Sequence, residues 1–153
     1  MDVTRVSIRP AEPEEAHALT ELAMRSKASH GYDEQFMARV ASELAVSHDY
    51  IADHSVFVVD DGGTIGGFYG LTIEPPVGEL DLFFVEPGAH GKGYGRLLLT
   101  HACEEARALG CTHITIQSDP YAVAFYEALG AKRIGESVSP STGRMLPVLR
   151  LDL

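Results

Sequence analysis

Several features that would define a class of protein are scarce or missing in this sequence. Only two cysteines occur among its 153 residues, Cys103 and Cys111, which is too few for a disulfide scaffold. No apolar run approaches the ~20 residues of a membrane span. The first residues also lack the basic and apolar regions of a signal peptide. We therefore expect reduced thiols in a cytoplasmic protein that does not enter a membrane.

Positive charge is scarce as well. The chain has 12 Lys and Arg residues against 22 Asp and Glu, which gives a formal net charge of −10. Proteins that bind the phosphate backbone of nucleic acid carry a basic surface, so we exclude nucleic acid as the main partner. The excess of carboxylates would instead attract cationic small molecules.

Metal-site patterns are likewise missing from the sequence. Five histidines lack the spacing of metal ligands: His17, His48, His54, His101 and His113. Cys103 falls in a predicted helix and Cys111 at the start of a predicted strand, and neither pattern is typical of an activated nucleophile. We expect neither a metal ion nor a thiol nucleophile.

Hydrophobic residues make up 45% of the chain, enough for one α/β domain over residues 1–153. Two-residue alternation and β-branched runs predict seven strands, and helical spacing predicts four helices, in the order β-α-α-β-β-β-α-β-α-β-β. The predicted strands cover residues 3–9, 55–60, 64–73, 79–85, 112–117, 132–136 and 145–153. The predicted helices begin at Pro13, after Asp33, at Tyr94 and at Tyr121.

The strongest chemical signal is a glycine-rich segment between a strand and an amphipathic helix, His90-Gly91-Lys92-Gly93-Tyr94-Gly95. Alternate glycines let the backbone approach a ligand, and the helix start offers unpaired N–H groups that suit a phosphate. A Walker loop is excluded because Gly93 follows Lys92, and a dinucleotide-binding turn is excluded because Arg96 stands where its last glycine belongs. The alternative is a glycine-rich turn without a ligand.

Two segments together resemble a known family. The strand at residues 82–87 with the glycine segment is similar to the acetyl-coenzyme A motif of the GNAT N-acetyltransferases, Gln/Arg-x-x-Gly-x-Gly/Ala, with His90 in place of Gln or Arg. Residues 119–131 resemble the family's Asp-Pro-Asn-Ala-x-x-Phe-Tyr-Glu-x-x-Gly-Phe segment. Tyr121 stands where Asn is common, and Ala131 where an aromatic residue is common. The resemblance implies a mixed sheet of about seven strands flanked by four helices, with two splayed central parallel strands.

The resemblance also implies acetyl-coenzyme A as the cofactor. Its pantetheine would pair with the backbone of Phe83, Phe84 and Val85, as in strand addition to an exposed edge. Its pyrophosphate would meet the amides of the glycine segment, including Tyr94. We add to this set the cations and the aromatic residues of the second motif: His90, Lys92, Arg96, Tyr121 and Phe125. Lys92 and Arg96 could equally be solvated residues at a helix start.

Catalytic roles follow from the same resemblance. Tyr126 matches the tyrosine that protonates the departing thiolate, although it could be a core aromatic residue beside Phe125. The general base would be a carboxylate before the glycine segment or an ordered water. Glu79 and Asp81 are both candidates, because their two-residue spacing predicts side chains on one face of a strand. Of the two, the resemblance favours Glu79, because many members of the family carry Glu at that point. Both could also be ordinary strand-edge charges.

Acceptor-binding residues are expected from the first two helices, the loop between them and the C-terminal hairpin. The candidates are Lys27, His30, Tyr32, Tyr69 and Arg144, each of which could equally be a surface residue. Lys27 or Arg144 would hold a carboxylate of the acceptor, whereas Asp33 and Glu34 would favour an amine.

The function implied is acetyl transfer from acetyl-coenzyme A to a primary amine of a small molecule or peptide, by direct attack. Two alternatives stay open: a non-catalytic acyl-coenzyme A sensor, because fold does not fix function, and an acyltransferase with another acyl group or acceptor. Dimers are frequent in the family, so a homodimer is a further expectation.

Overall fold

A seven-stranded mixed sheet organises the computed structural model, which describes residues 5–153. The strands lie in the order β1-β2-β3-β4-β5-β7-β6, and every neighbouring pair is antiparallel except β4 with β5. Their bounds are β1 (Val6–Pro10), β2 (Ser55–Asp61), β3 (Thr64–Glu74), β4 (Val77–Val85), β5 (His113–Gln117), β6 (Lys132–Val138) and β7 (Met145–Asp152). The predicted seven strands are confirmed, although residues 3 and 4 of the first prediction lie outside the described part.

Five helices accompany the sheet, one more than predicted. They are α1 (Ala16–Ala28), α2 (Glu34–Leu44), α3 (His48–Asp53), α4 (Tyr94–Ala108) and α5 (Val123–Ala128). Short 3-10 turns at Pro13–Glu15 and Pro120–Ala122 precede α1 and α5. The unpredicted helix is α3, whose cap is Ser47: its hydroxyl accepts a hydrogen bond from the Tyr50 N–H at 2.9 Å. With only Ile51 buried, α3 has no apolar periodicity to reveal it.

The sheet separates two hydrophobic layers. On one face, Leu98 of α4 and Tyr126 of α5 pack over sheet residues such as Tyr69 and Ile114. On the other face, the first three helices pack over Phe68 and further sheet residues, with Leu19 of α1 among the buried side chains. Both faces are covered by helices, which is the arrangement that allows a parallel pair in the middle of the sheet.

The parallel pair is short and then divides. The pairing of β4 with β5 runs from Val77 opposite His113 to Leu80 opposite Ile116. At this point β4 carries a β-bulge: Leu80 pairs with Leu71 and Leu82 with Gly70, so Asp81 is an extra residue. A bulge bends its strand and increases the local twist. Beyond it, the last residues of β4 pair with β3 alone, which confirms the predicted splay.

Within residues 5–153, no helix combines the length and the apolar character needed to cross a membrane.

Candidate functional site

A cavity of about 340 Å³ lies where β4 and β5 separate. Its walls come from both strands, from α1 and α2, and from the segment that leads into α5. Tyr126, Asp81 and Phe83 are among the lining residues, together with Lys27 and His30. The bulge in β4 therefore brings residues of the two sequence motifs to one concave surface, which is where ligands generally bind in α/β proteins.

The glycine segment forms an open loop ahead of α4. Gly91 and Gly93 adopt φ angles of 91° and 80°, the left-handed region that favours glycine. Gly93 is the N-cap of α4 and offers no side-chain acceptor to the first amides of the helix. Those amides have no partner within the helix and carry the positive end of its dipole. His90, Lys92 and Arg96 are exposed around them, so loop and helix start suit an anion.

Two aromatic side chains of this region, those of Tyr94 and Phe125, pack inside the protein and not at the opening of the loop. Tyr94 is buried against Gly66, and its hydroxyl donates a hydrogen bond to Asp61. That bond, with the charge of Arg5, lowers the pKa of Asp61 despite its partial desolvation. Gly95 packs closely against the Phe125 ring, so a Cβ at this position would require the ring to shift. Tyr94 can therefore contribute an amide but not its ring, while Phe125 joins α4 to α5.

Tyr126 stands in the cavity wall with only 5% of its surface exposed. Its ring meets Phe83 edge-on, with 5.7 Å between the ring centroids. Burial, and then the negative charge of Asp119, raise the pKa of the Tyr126 hydroxyl. The phenol is thus kept protonated at neutral pH, as a proton donor must be.

Of the two predicted base candidates, only Asp81 lines the cavity. Its Oδ2 accepts hydrogen bonds from the Tyr50 hydroxyl at 2.6 Å and from the Thr72 hydroxyl at 2.5 Å. Glu79 is exposed, and its pKa is raised by partial burial and then by the negative charges of Asp81 and Glu74. The two carboxylates influence each other, but the bulge gives Asp81 the place in the cavity.

A polar network closes the acceptor side of the cavity. Lys27 and Asp119 form an ion pair, and the Tyr32 hydroxyl donates to Asp119 at 3.0 Å. Arg144 donates to the Tyr32 oxygen at 3.0 Å, and its guanidinium lies 4.6 Å from the centroid of the Phe36 ring. Burial opposes ionisation of Asp119, yet Lys27 and the hydrogen-bond donors lower its pKa overall. Three predicted acceptor residues are thus brought together; Lys27 and Tyr32 are engaged with Asp119, whereas Arg144 contacts Tyr32 and keeps a buried Nε without a hydrogen-bond partner.

The rim of the cavity carries an exposed aromatic pair. His30 and Tyr121 stack nearly parallel, with 4.8 Å between their ring centroids. Tyr121 is 63% exposed, and its backbone N–H donates to Asp119 at 2.9 Å. The residue that replaces the family's usual asparagine therefore presents a ring to solvent beside the opening.

The structure contradicts one predicted site residue, Tyr69. Its side chain is fully buried in the layer under α4, and its hydroxyl lies 2.7 Å from Nδ1 of His101. The prediction that Tyr69 contacts the acceptor was therefore wrong. Each residue of a strand projects to one face only, and Tyr69 projects to the face that lies away from α1 and α2.

Sequence reasoning also missed functional candidates. Glu43 at the end of α2 lines the cavity, and Tyr50 and Thr72 hold Asp81. Asp119 belonged to the quoted motif, which could have suggested it. For the other three no signal existed: Tyr50 depends on the short helix α3, Thr72 on the register of β3 against β4, and Glu43 on the loop before β7 that contacts it.

The comparisons with known proteins agree with this geometry. The family model of the Acetyltransferase (GNAT) family matches residues 16–131. A peptidyl-lysine N-acetyltransferase, YjaB, from Salmonella typhimurium is 30% identical over 148 residues, which cover 95% of this chain and 97% of that protein. A 5-NmdU N-acetyltransferase from Pseudomonas phage PaMx11 is 30% identical over 87% of this chain and 91% of that protein.

Solved structures share the fold. A GCN5-related N-acetyltransferase from Rhodopseudomonas palustris has a TM-score of 0.82 at 19% identity, covering 100% of this chain and 99% of that one. The PaiA N-acetyltransferase from Thermoplasma acidophilum, solved in complex with coenzyme A, has a TM-score of 0.80 at 19% identity, covering 97% and 99%. From its fold, its motifs and these matches, the chain belongs to the acetyltransferase (GNAT) family and is an acetyltransferase that uses acetyl-coenzyme A.

Proposed function

We propose that this enzyme transfers the acetyl group of acetyl-coenzyme A to a primary amine of a small molecule or peptide, by direct attack of the amine. The observation that carries the proposal is the shared cavity: Asp81 and Tyr126 line one concavity at the point where β4 and β5 divide. A carboxylate and a protonated phenol are the two groups needed to remove a proton from an amine and to return one to a thiolate.

The chain has the features to bind the cofactor, which supplies the reactive acetyl thioester. Beyond the bulge, Phe83 to Val85 have no partner in β5, so their outward backbone groups are available for hydrogen bonds. The amides of Gly91 to Gly95 suit the pyrophosphate, with Lys92 and Arg96 as exposed cations and His90 as an exposed imidazole beside them. Phe125 and Tyr121 complete the cofactor side, the first by packing α5 on α4 and the second at the rim.

Asp81 is the base that we favour, acting directly or through one water. An alkylamine is mostly protonated at neutral pH and must lose a proton before it can attack. The hydroxyls of Tyr50 and Thr72 fix one oxygen of Asp81, and this orients the carboxylate in the cavity wall. Glu79 is the alternative: its raised pKa suits a base, but its place outside the cavity lining would require a water relay.

Tyr126 is the acid in this proposal. Its hydroxyl would deliver a proton to the coenzyme A thiolate. An alkyl thiol such as that of cysteine has a pKa of about 8.5. His30 and Tyr32 stand on the acceptor side, His30 in the cavity lining and Tyr32 in the network behind it. Lys27 is already paired with Asp119, whereas Arg144 supports that wall through its hydrogen bond to Tyr32.

The acceptor is not fixed by the relatives' names, because two proteins at the same identity are named for different acceptors. The charge of the cavity supports an amine, since its carboxylates outnumber its ammonium groups. Cys103 and Cys111 are free thiols, which supports a location in the reducing cytoplasm.

Coenzyme A release with a panel of amines, including a lysine peptide, tests the proposal. Acetylated product should accumulate with at least one primary amine and be identified by mass spectrometry. Binding of acetyl-coenzyme A with no acceptor turned over would favour the sensor. Faster turnover with a longer acyl group, or with a hydroxyl acceptor, would favour the other alternative.

A further inference from the structure

The cavity holds more negative charge than its own residues neutralise. Its charged lining residues are Lys27, Glu43, Asp81 and Asp119. Lys27 is paired with Asp119, whereas Glu43 and Asp81 have no Lys, Arg or His nitrogen within 4.0 Å among residues 5–153. Two carboxylates therefore remain without an ion-pair partner on the walls of one cavity, and Arg144, the cation behind that wall, contacts Tyr32 instead.

The carboxylates of Asp81 and Glu43 are each held by two hydrogen bonds to a single oxygen. The hydroxyls of Tyr50 and Thr72 both donate to Oδ2 of Asp81. The Ser139 hydroxyl and the Ser141 N–H both donate to Oε1 of Glu43, at 2.9 and 3.1 Å. In the described part of the chain, Asp81 Oδ1 and Glu43 Oε2 accept no hydrogen bond. An ionised carboxylate can accept on both oxygens, so each has an oxygen left for a ligand.

The chemistry of the cavity favours an organic cation over a metal ion. No group of three His, Cys, Asp or Glu side chains in residues 5–153 could hold a metal. An ammonium group needs only one oriented carboxylate, and charge-assisted hydrogen bonds of this kind are the strong ones. Glu43 lies in the last turn of α2 and Asp81 on β4, so the two carboxylates would bind two separate ammonium groups.

Resting on the proposed function, we infer that the acceptor is an aliphatic di- or polyamine. One amino group lies toward Asp81 and Tyr126 and is acetylated. A second ammonium group binds Oε2 of Glu43, which makes Glu43 a specificity-determining residue. The ammonium proton and the carboxylate lone pair form a charge-assisted hydrogen bond, and Glu43 takes no part in the transfer itself.

The test compares putrescine with n-butylamine, which has the same carbon chain and one amino group. We expect the wild-type enzyme to prefer putrescine in kcat/KM by about tenfold, the usual order for a hydrogen bond to a charged group. Glu43→Gln should remove most of this preference through the KM for putrescine. Its amide oxygen can still accept from Ser139 and Ser141, so the loop they belong to keeps its anchor.

A matched control removes the same charge elsewhere. Glu104 is exposed on α4, across the sheet from α1 and α2, and Glu104→Gln should leave the preference as it is. An unchanged preference in Glu43→Gln would overturn the inference. So would a wild-type preference no greater than the statistical advantage of two amino groups, or a stronger preference for a lysine peptide. In each of these three outcomes an amine is still acetylated, so the proposed function stands and only the diamine inference fails. If no amine is acetylated, the proposed function fails as well.

Discussion

Lys27 and Asp119 form an ion pair that joins α1 to the turn before α5, across the gap between β4 and β5. The two side chains are only 10% and 13% exposed. The same carboxylate caps the turn at the Tyr121 N–H and accepts from the Tyr32 hydroxyl. One buried charge therefore connects the two sides of the cavity and sets the start of the helix that carries Tyr126.

Lys27→Met should destabilise the fold by about 3 kcal/mol, because it leaves a buried carboxylate without its partner. Urea unfolding measures the change. The double variant Lys27→Met/Asp119→Asn removes both charges and should lose less than the two single variants added together. Strict additivity would show that the two residues do not act as a pair.

The pH dependence of stability follows from the lowered pKa of Asp119. The unfolded chain has the ordinary aspartate pKa of ~3.9, so this contribution is complete above that value and is lost as pH falls through the folded-state pKa. In Lys27→Met, burial without a partner favours the protonated acid. The difference in unfolding free energy between wild type and variant should therefore shrink as pH falls, and a constant difference would contradict the assignment.

Tyr126→Phe should lower kcat by about 100-fold, the lower part of the range for general acid catalysis, with little change in the affinity for coenzyme A. Isothermal titration and steady-state kinetics separate the two effects. Because burial raises the pKa of Tyr126, loss of its proton should not limit the wild-type rate up to about pH 10. Unchanged turnover in the variant would remove Tyr126 as the acid.

Asp81→Asn should reduce kcat/KM at neutral pH by about 100-fold, and Glu79→Gln by less than about tenfold. The expected order reflects position, since only Asp81 lines the cavity. Tyr50→Phe keeps the carboxylate but removes one of its donors, and its effect should lie between the two. A larger loss in Glu79→Gln than in Asp81→Asn would make Glu79 the base.

Tyr69→Phe should leave the KM for the amine unchanged and reduce the free energy of unfolding by about 1 kcal/mol, the net value of one buried hydrogen bond. The lost bond is the one to His101. A raised KM for the amine without any loss of stability would indicate that Tyr69 contacts the acceptor after all.

The main elements of the fold could be predicted because their signals are local. The hairpin at Gly62 and Gly63, and the caps at Asp33 and Gly93, each follow from backbone chemistry at that point. The face of Tyr69 could not be predicted, because its neighbour Phe68 is equally buried and β3 has no alternating pattern there. Tyr126 could be singled out because it belongs to a sequence motif, and it lines the cavity. Asp81 owes its place to a bulge, which depends on pairing between strands and leaves no local mark.

The bulge at Asp81 has a thermodynamic consequence. By ending the parallel pairing at Leu80, it leaves the last residues of β4 paired with β3 alone, as an edge inside the sheet. Under the proposed binding mode, the cofactor fills that interior edge and pairs with its free backbone groups. Stability and cofactor concentration are then linked: at 100 times the dissociation constant, binding adds about 2.7 kcal/mol to the free energy of unfolding. The enzyme would thus be most resistant to unfolding in a cell that is rich in acetyl-coenzyme A.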